Sequence, residues 1–250
     1  MYTLKKSLGQ HFLKDERVVA RILEELSRHH FRQLLEVGPG GGALTGHLLS
    51  IPDIEFRAVE LDQEKVDFLL KKYPSIQGKL LHEDFLKLDP PFEGSFTVIG
   101  NFPYNISSQI LFKILDWQLQ VPVVIGMFQK EVAERAAATH GNKTYGVLSV
   151  LVQYYYQVEY CFSVSAGSFV PPPKVESAVI RLTRRDQREE VSSTRDFRVL
   201  VKAAFNQRRK TLRNATRGLF TPEVLSDPLF DRRAETLSVA EFAALTFKLR

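Results

Sequence analysis

Apolar and polar positions in this chain alternate between two periods. Residues 15–29 place Val18, Val19, Ile22, Leu23 and Leu26 at helical spacing, with Asp15 as a cap. Short apolar runs then trade places with helical patterns. Strands are predicted at 33–38, 56–61, 79–84, 95–101 and 122–129, and helices at 43–50, 63–72, 107–117, 130–138 and 145–155. Two further strands, 157–165 and 177–183, follow with no helix between them. Such alternation predicts an α/β, Rossmann-like fold with a mostly parallel sheet, closed at one side by an antiparallel edge hairpin.

The pattern changes near 184–193, a polar run with no apolar period. Beyond it the chain reads as helical, broken into short pieces by Pro222 and Pro228. Two domains are expected, 1–187 and a small helical 188–250. About 60 residues rarely build a sufficient core alone. In all, 250 residues with 44% hydrophobic and 25% charged content exclude a disordered chain. No apolar run reaches membrane-spanning length, and no signal peptide is read at the N-terminus, so a cytoplasmic protein without a membrane partner is expected. A single cysteine, Cys161, permits neither an internal disulfide nor a Cys-based zinc site, and no metal is expected.

The net charge of +5 is unevenly spread. Residues 181–217 hold 12 basic and 4 acidic side chains, against 18 and 20 in residues 1–180. A basic segment of this kind points to a polyanion, most simply nucleic acid, or else to a solvated helical face. Arg208, Arg209, Lys210, Arg213 and Arg217 are its candidate contacts. On one helix, Arg209, Arg213 and Arg217 would share a face.

The candidate chemistry lies at the ends of the predicted strands. Glu36-Val37-Gly38-Pro39-Gly40-Gly41-Gly42-Ala43 joins a strand to a helix, where glycines admit a tight turn and close approach of a ligand. No Lys-Ser/Thr pair follows, so this is not a P-loop. Glu60 ends the second strand, before Leu61 and Asp62, and is placed to accept ribose hydroxyls. Asp84 and Phe85 follow the third, suited to an adenine amino group and ring. Asn101-Phe102-Pro103-Tyr104 ends the fourth strand as a rigid polar pincer. The Asn101 side chain and the Phe102 carbonyl can both accept from one exocyclic amine, Pro103 fixes the turn, and Tyr104 offers a stacking face.

In this order these motifs resemble those of S-adenosylmethionine-dependent adenine-N6 methyltransferases. Other stretches narrow the resemblance to the ribosomal RNA adenine dimethylase family. They are Lys6-Ser7-Leu8-Gly9-Gln10-His11-Phe12-Leu13, Phe128–Arg135, Phe169–Val179 and Ala204–Asn214. The resemblance runs from about residue 5 to 215 and is nearest to enzymes that dimethylate two adjacent adenines in small-subunit rRNA. It implies S-adenosylmethionine as cofactor and the small ribosomal subunit with its 16S rRNA as partner, met by a monomer. It places His11, Leu13, Gly38, Gly40, Glu60, Leu61, Asp84, Phe85 and Asn101 at the cofactor. Phe169 would stack the target adenine opposite Tyr104, with Asn101 and Pro103 at the reacting amine. Two positions depart from the family pattern: His11 stands where Asn is usual, and Phe102 where Leu is usual.

Three rival readings stand beside this one. A nicotinamide dehydrogenase would use Gly38, Gly40, Ala43 and Glu60 but give the pincer no role. A non-catalytic RNA-binding factor would not need Glu60, Asp84 and Asn101 together. A large-subunit rRNA adenine methylase of the macrolide-resistance type shares the pincer, while Phe169–Pro173 and Phe205–Asn214 favour the small-subunit enzyme.

Overall fold

The computed structural model describes residues 11–207 and 209–250. The chain divides into two compact units, residues 1–133 with 159–184, and residues 134–158 with 185–250. This differs from a single cut after residue 187, because residues 134–158 cluster with the C-terminal helices.

The first unit is built on a seven-stranded sheet. Its strands are β2 (Gln33–Val37), β3 (Glu55–Glu60), β4 (Leu80–His82), β5 (Thr97–Asn101), β6 (Val123–Gln129), β7 (Tyr156–Val164) and β9 (Ser177–Arg184), in the order β4-β3-β2-β5-β6-β9-β7. The β4-β3-β2-β5-β6 ladders are parallel. β9 then enters antiparallel to β6, pairing Gln129 with Ser177 and Val123 with Thr183. From β2 the chain runs outward to β3 and β4, then crosses back to β5. The crevice between β2 and β5 is therefore the switch point where ligands of open α/β sheets bind.

The central strands β5 and β6 are buried nearly throughout, as a parallel sheet covered on both faces requires. Helix α1 (Glu16–Ser27) buries Val18, Val19, Ile22 and Leu26, and Asp15 caps it by accepting from Arg17 N. Helix α3 (Gln63–Lys72) is capped by Asp62, which accepts from Glu64 N. The helix expected over 43–50 shrinks to α2 (Thr45–Leu48), since the glycine turn continues to Leu44. The strand expected over 79–84 shrinks to β4, which leaves Glu83 and Asp84 in the following loop.

Sequence periodicity gave no sign of a second, two-stranded sheet. β1 (Phe12–Leu13) pairs antiparallel with β8 (Phe169–Val170), opposing Phe12 to Val170 and Leu13 to Phe169. Two-residue strands are too short to show a period. Their pairing ties the N-terminal motif to the loop before β9.

The second unit is helical. Helix α6 (Val147–Tyr155) buries Leu148, Val150, Leu151, Val152, Tyr154 and Tyr155, so it is apolar on most of its circumference and needs cover on more than one side. Tyr154 packs on Phe197 of α7 (Thr194–Asn206), with ring centroids 4.5 Å apart. Helices α8 (Leu212–Ala215), α9 (Pro222–Leu225) and α10 (Val239–Thr246) complete it. Pro222 sits in the first turn of α9, as its missing N–H allows, and Thr221 caps that turn. Ser238 and Glu241 form a reciprocal capping box on α10.

Candidate active site at the carboxyl edge of the sheet

The parallel ladder aligns the ends of β2 and β5, and a cavity of about 400 Å³ opens there. Its wall includes His11, Leu13, Glu36, Gly38, Gly40, Asn101, Pro103 and Tyr104. The volume is that of a site for a small organic ligand. Gly38 has φ +67° and donates its N–H to Val59 O across the ladder. That φ favours glycine, and a Cβ there would also lie tight against Pro103 Cδ at 3.3 Å.

Glu60 lies beside the turn and is buried. One carboxylate oxygen accepts from Gly40 N at 3.1 Å, and the other from Leu61 N at 3.0 Å and Asp62 N at 3.1 Å. Lys65 Nζ, which lines the cavity, stands 3.8 Å away. Glu60 thus holds the glycine turn in shape, a task the sequence reading did not assign to it. Leu61 beside it is 59% exposed and does not line the cavity.

Asn101, Phe102, Pro103 and Tyr104 all line the cavity. Among the described residues nothing hydrogen-bonds the Asn101 side chain. Phe102 N donates to Met127 O, and the Pro103 carbonyl accepts from Ile106 N and Ser107 Oγ. The Phe102 ring is buried against Phe128, with centroids 4.8 Å apart. Only its carbonyl is therefore left to a ligand, which explains why a larger side chain than Leu is accepted here. Tyr104 pairs its hydroxyl with Ser177, and burial raises the phenol above its usual range. His11 Nδ1 lies 2.9 Å from Pro171 O, and its ring centroid is 5.8 Å from that of Tyr104. If that carbonyl accepts from Nδ1, Nε2 remains as the acceptor of the neutral ring.

Three expected site residues face elsewhere. Phe169 is 1% exposed and belongs to the apolar core with Leu13, so in this structure its ring is not offered for stacking on a base. The β1–β8 pairing draws it inward. Phe85 is buried edge-on to Trp117, at 5.2 Å between centroids, and the ring serves the core. Asp84 folds back to accept from Leu86 N at 3.0 Å, with Lys87 Nζ at 3.9 Å, and does not line the cavity.

Among the cavity residues that sequence reasoning missed are Phe12 and Glu36. Phe12 lies across the glycine turn, where a Cβ on Gly41 would fall 2.8 Å from its ring. Glu36 is 1% exposed. Burial, then the nearby Glu60 carboxylate, pushes the Glu36 carboxyl up to about 8. Thr45 stands close enough to temper that shift, but among the described residues neither its hydroxyl nor Oε2 of Glu36 has a hydrogen-bond partner. A lone acid inside a strand pattern that otherwise reads as core was the signal that could have found it.

The basic segment is rearranged in the structure. Arg181 is held between Glu25 and Glu159, which lowers the Glu159 carboxyl below its usual range. Arg184 donates to the carbonyls of Gln118 and Leu119, and Arg185 to that of Gln153. The shared helical face of Arg209, Arg213 and Arg217 does not form. Helix α7 stops at Asn206, and the chain enters α8 only at Leu212. Leu212 is fully buried and gives its N–H to Arg232 O, a bond a continuous helix would spend within itself. Arg213 donates to Leu225 O at 2.9 Å and pairs with Asp231 at 3.0 Å. Arg209, Lys210 and Arg217 are exposed, while Arg208 lies outside the described residues, as do Lys6 to Gln10 of the N-terminal motif.

With this geometry in view, comparison with known proteins is decisive. The family described as ribosomal RNA adenine dimethylase matches residues 1–246. The chain belongs to that family. It is 49% identical over 246 residues to "Ribosomal RNA small subunit methyltransferase A" of Cytophaga hutchinsonii, covering 97% of this chain and 95% of the relative. The protein of the same name from Parabacteroides distasonis is 51% identical, covering 97% and 92%. The fold is similar to a dimethyladenosine transferase from Plasmodium falciparum, with TM-score 0.78, 24% identity and 93% and 94% coverage. The 23S rRNA methyltransferase ErmE gives TM-score 0.71 at 24% identity, with 95% and 99% coverage. This member of the dimethylase family is therefore a Rossmann-like methyltransferase with its glycine turn and pincer on one cavity.

Proposed function

We propose that the protein uses S-adenosylmethionine to dimethylate N6 of two adjacent adenines in a hairpin near the 3′ end of 16S rRNA, acting as a cytoplasmic monomer during small-subunit assembly. One observation carries the reading: the Asn101–Tyr104 pincer and the Gly38–Gly42 turn share a cavity in a chain of this family. The residues suit the cofactor, since the glycine turn and the end of β5 line one open cavity, and among the described residues Oε2 of the buried Glu36 in its wall has no hydrogen-bond partner.

When bound, the cofactor supplies an electrophilic methyl group on its sulfonium. Protein groups do the rest by holding and orienting. Glu60 fixes the turn and is the acceptor for the ribose; Asp84 serves the adenine amine once released from Leu86 N. Asn101 Oδ1 and the Phe102 carbonyl accept both hydrogens of the target amine. That draws its nitrogen toward tetrahedral geometry and turns the lone pair toward the methyl. Pro103 has no N–H to compete, and Tyr104 stacks the base, which must leave its own stack to enter. Holding amine and methyl in line supplies most of the acceleration. Arg208, Arg209, Lys210 and Arg217 hold RNA by its phosphates, with Arg213 shaping the loop that presents them.

Transfer of labelled methyl to immature small subunits, large subunits and naked rRNA, followed by nucleoside analysis, tests the proposal. Dimethyladenosine from small subunits alone is expected. Label in large subunits, or none, would overturn it.

A further inference from the structure

The Tyr104 ring is held at both ends. Tyr104 opens a short turn, Tyr104–Ile106, directly after Pro103. Its carbonyl accepts from Ser107 Oγ at 3.1 Å, and Ser107 is itself buried at the start of the following helix. At the far end of the ring the phenol hydroxyl pairs with Ser177 Oγ. Among the described residues no other group hydrogen-bonds either of these two hydroxyls. Ser177 reaches this place because β9 runs against the parallel strands. It is the first residue of β9 and pairs in register with Gln129, the last residue of β6. A strand entering antiparallel brings its beginning, not its end, to the carboxyl edge where ligands bind. Asn101 pairs with Met127 on the other side of β6, so that one strand separates the pincer from Ser177. Lys130 fastens the same end of β9: its N–H donates to Glu176 O at 2.9 Å, and its Nζ stands 2.6 Å from Glu176 Oε2.

We propose that Ser177 is a positioning residue for methyl transfer: through the phenol hydroxyl it holds the Tyr104 ring in the rotamer that seats the target base. The inference rests on the base-stacking role given to Tyr104 above. Ser177 is fully buried and does not line the cavity, so it acts through Tyr104 and touches neither substrate nor cofactor. Any small residue would fill the start of β9. What serine adds there over alanine is one hydroxyl, and that hydroxyl is spent on the phenol. The phenol oxygen lies on the axis about which the ring flips. A bond to it therefore fixes the direction of the ring, set by χ1. The tilt is left to side neighbours such as His11, whose ring is 5.8 Å away and inclined by 31°. A ring free to change rotamer would have to be ordered each time a base arrives. It would also let the amine drift off the line to the methyl.

Single-turnover methyl transfer from S-adenosylmethionine to small subunits, measured on the full chain over a range of subunit concentrations, separates this role from a structural one. Ser177→Ala should lower the maximal rate about three- to tenfold, the size of one hydrogen bond. The half-saturating subunit concentration and the S-adenosylhomocysteine Kd should both stay within about twofold of wild type, because neither ligand meets Ser177. Tyr104→Phe removes the same bond from the other side, leaves β9 untouched, and should slow transfer by a similar factor. The double variant should be no slower than the slower of its parents, since the second change finds no bond left to break. Losses that multiply in the double variant would mean that Ser177 acts on something other than the phenol, and overturn the inference. An unchanged maximal rate in either single variant overturns it too. So does a Ser177→Ala in which S-adenosylhomocysteine affinity and melting temperature fall along with the rate, since that is the mark of a residue that only supports the fold. Tyr104→Phe can fail the expectation alone, so a poorly folded Ser177→Ala leaves the test intact. A wild type that transfers no methyl to small subunits would sink the proposed function itself, before any variant is compared.

Discussion

At the carboxyl edge of the sheet, groups far apart in sequence arrive beside one another because each ends a strand of one parallel ladder. In the stretch 206–217, groups close in sequence are parted, because the helix that would align them stops. Placement at the sheet edge is enforced by buried backbone hydrogen bonds, which tolerate no slip of register. Placement of charges along an exposed helix rests on the helix continuing, and one buried Leu212 bonded to Arg232 O outweighs that pattern. Strand ends are therefore sounder guides to a site than charge spacing.

The largest expected effect falls on the pincer. Asn101→Ala should lower methyl transfer by more than tenfold in single-turnover assays while leaving S-adenosylhomocysteine affinity within about threefold of wild type. Among the described residues the Asn101 side chain makes no hydrogen bond, so its loss should cost little stability. A variant keeping a tenth of wild-type turnover would remove Asn101 as the amine acceptor.

Next comes the ground on which the pincer stands. A Cβ on Gly126 of β6 would lie 2.4 Å from the Phe102 ring and 2.5 Å from the Phe128 ring. Both rings are fully buried and cannot swing away freely. Gly126→Ala should therefore lower stability by ~1–3 kcal/mol or more through overpacking, read as a lower melting temperature. Adding Phe102→Leu, the residue usual in the family, should return part of that loss. If the double variant melts no higher than Gly126→Ala, the wedge between these residues is not the cause.

Glu60 comes third. Its carboxylate accepts three backbone amides, one of them in the glycine turn, so Glu60→Ala should weaken cofactor binding by ~1.5–3 kcal/mol, roughly ten- to a hundredfold. Glu60→Gln keeps one carbonyl acceptor and should lose less. An unchanged dissociation constant for Glu60→Ala would take this residue off the cofactor.

How much of this was legible beforehand follows from the same contrast. The sheet, its ligand edge and the pincer could be read because apolar runs and strand-end polar residues each carry their own signal. Phe169 and Phe85 misled because an aromatic beside a motif looks alike whether it stacks on a ligand or on Trp117. Their burial is settled by partners remote in sequence, β1 for Phe169 and α4 (Ser107–Asp116) with its following Trp117 for Phe85. Glu36 was on view in the motif, but only the structure shows it buried, with Oε2 lacking a hydrogen-bond partner among the described residues. The grouping of α6 with the C-terminal helices was hidden too, because an all-apolar helix does not say which neighbours cover it.

The smallest effects should separate the arginines of the broken stripe. Arg209 and Arg217 are exposed, whereas Arg213 is 39% exposed and spends its guanidinium on Leu225 O and Asp231. Changing Arg209 and Arg217 together to Gln should make the log–log salt slope of small-subunit binding shallower by about 1.5–2 units, because each lost phosphate contact removes one counterion release. The melting temperature should hold, since both side chains are exposed and Gln keeps the local propensity. Arg213→Gln should do the reverse. It removes a half-exposed hydrogen-bonded pair worth about 1 kcal/mol, which at this chain length lowers the melting temperature by roughly 2–4 °C, and it should leave the slope nearly unchanged. A shallower slope with an unchanged melting temperature in Arg213→Gln would return that residue to the RNA. An unmoved slope in the Arg209 and Arg217 pair would make both of them parts of a solvated face.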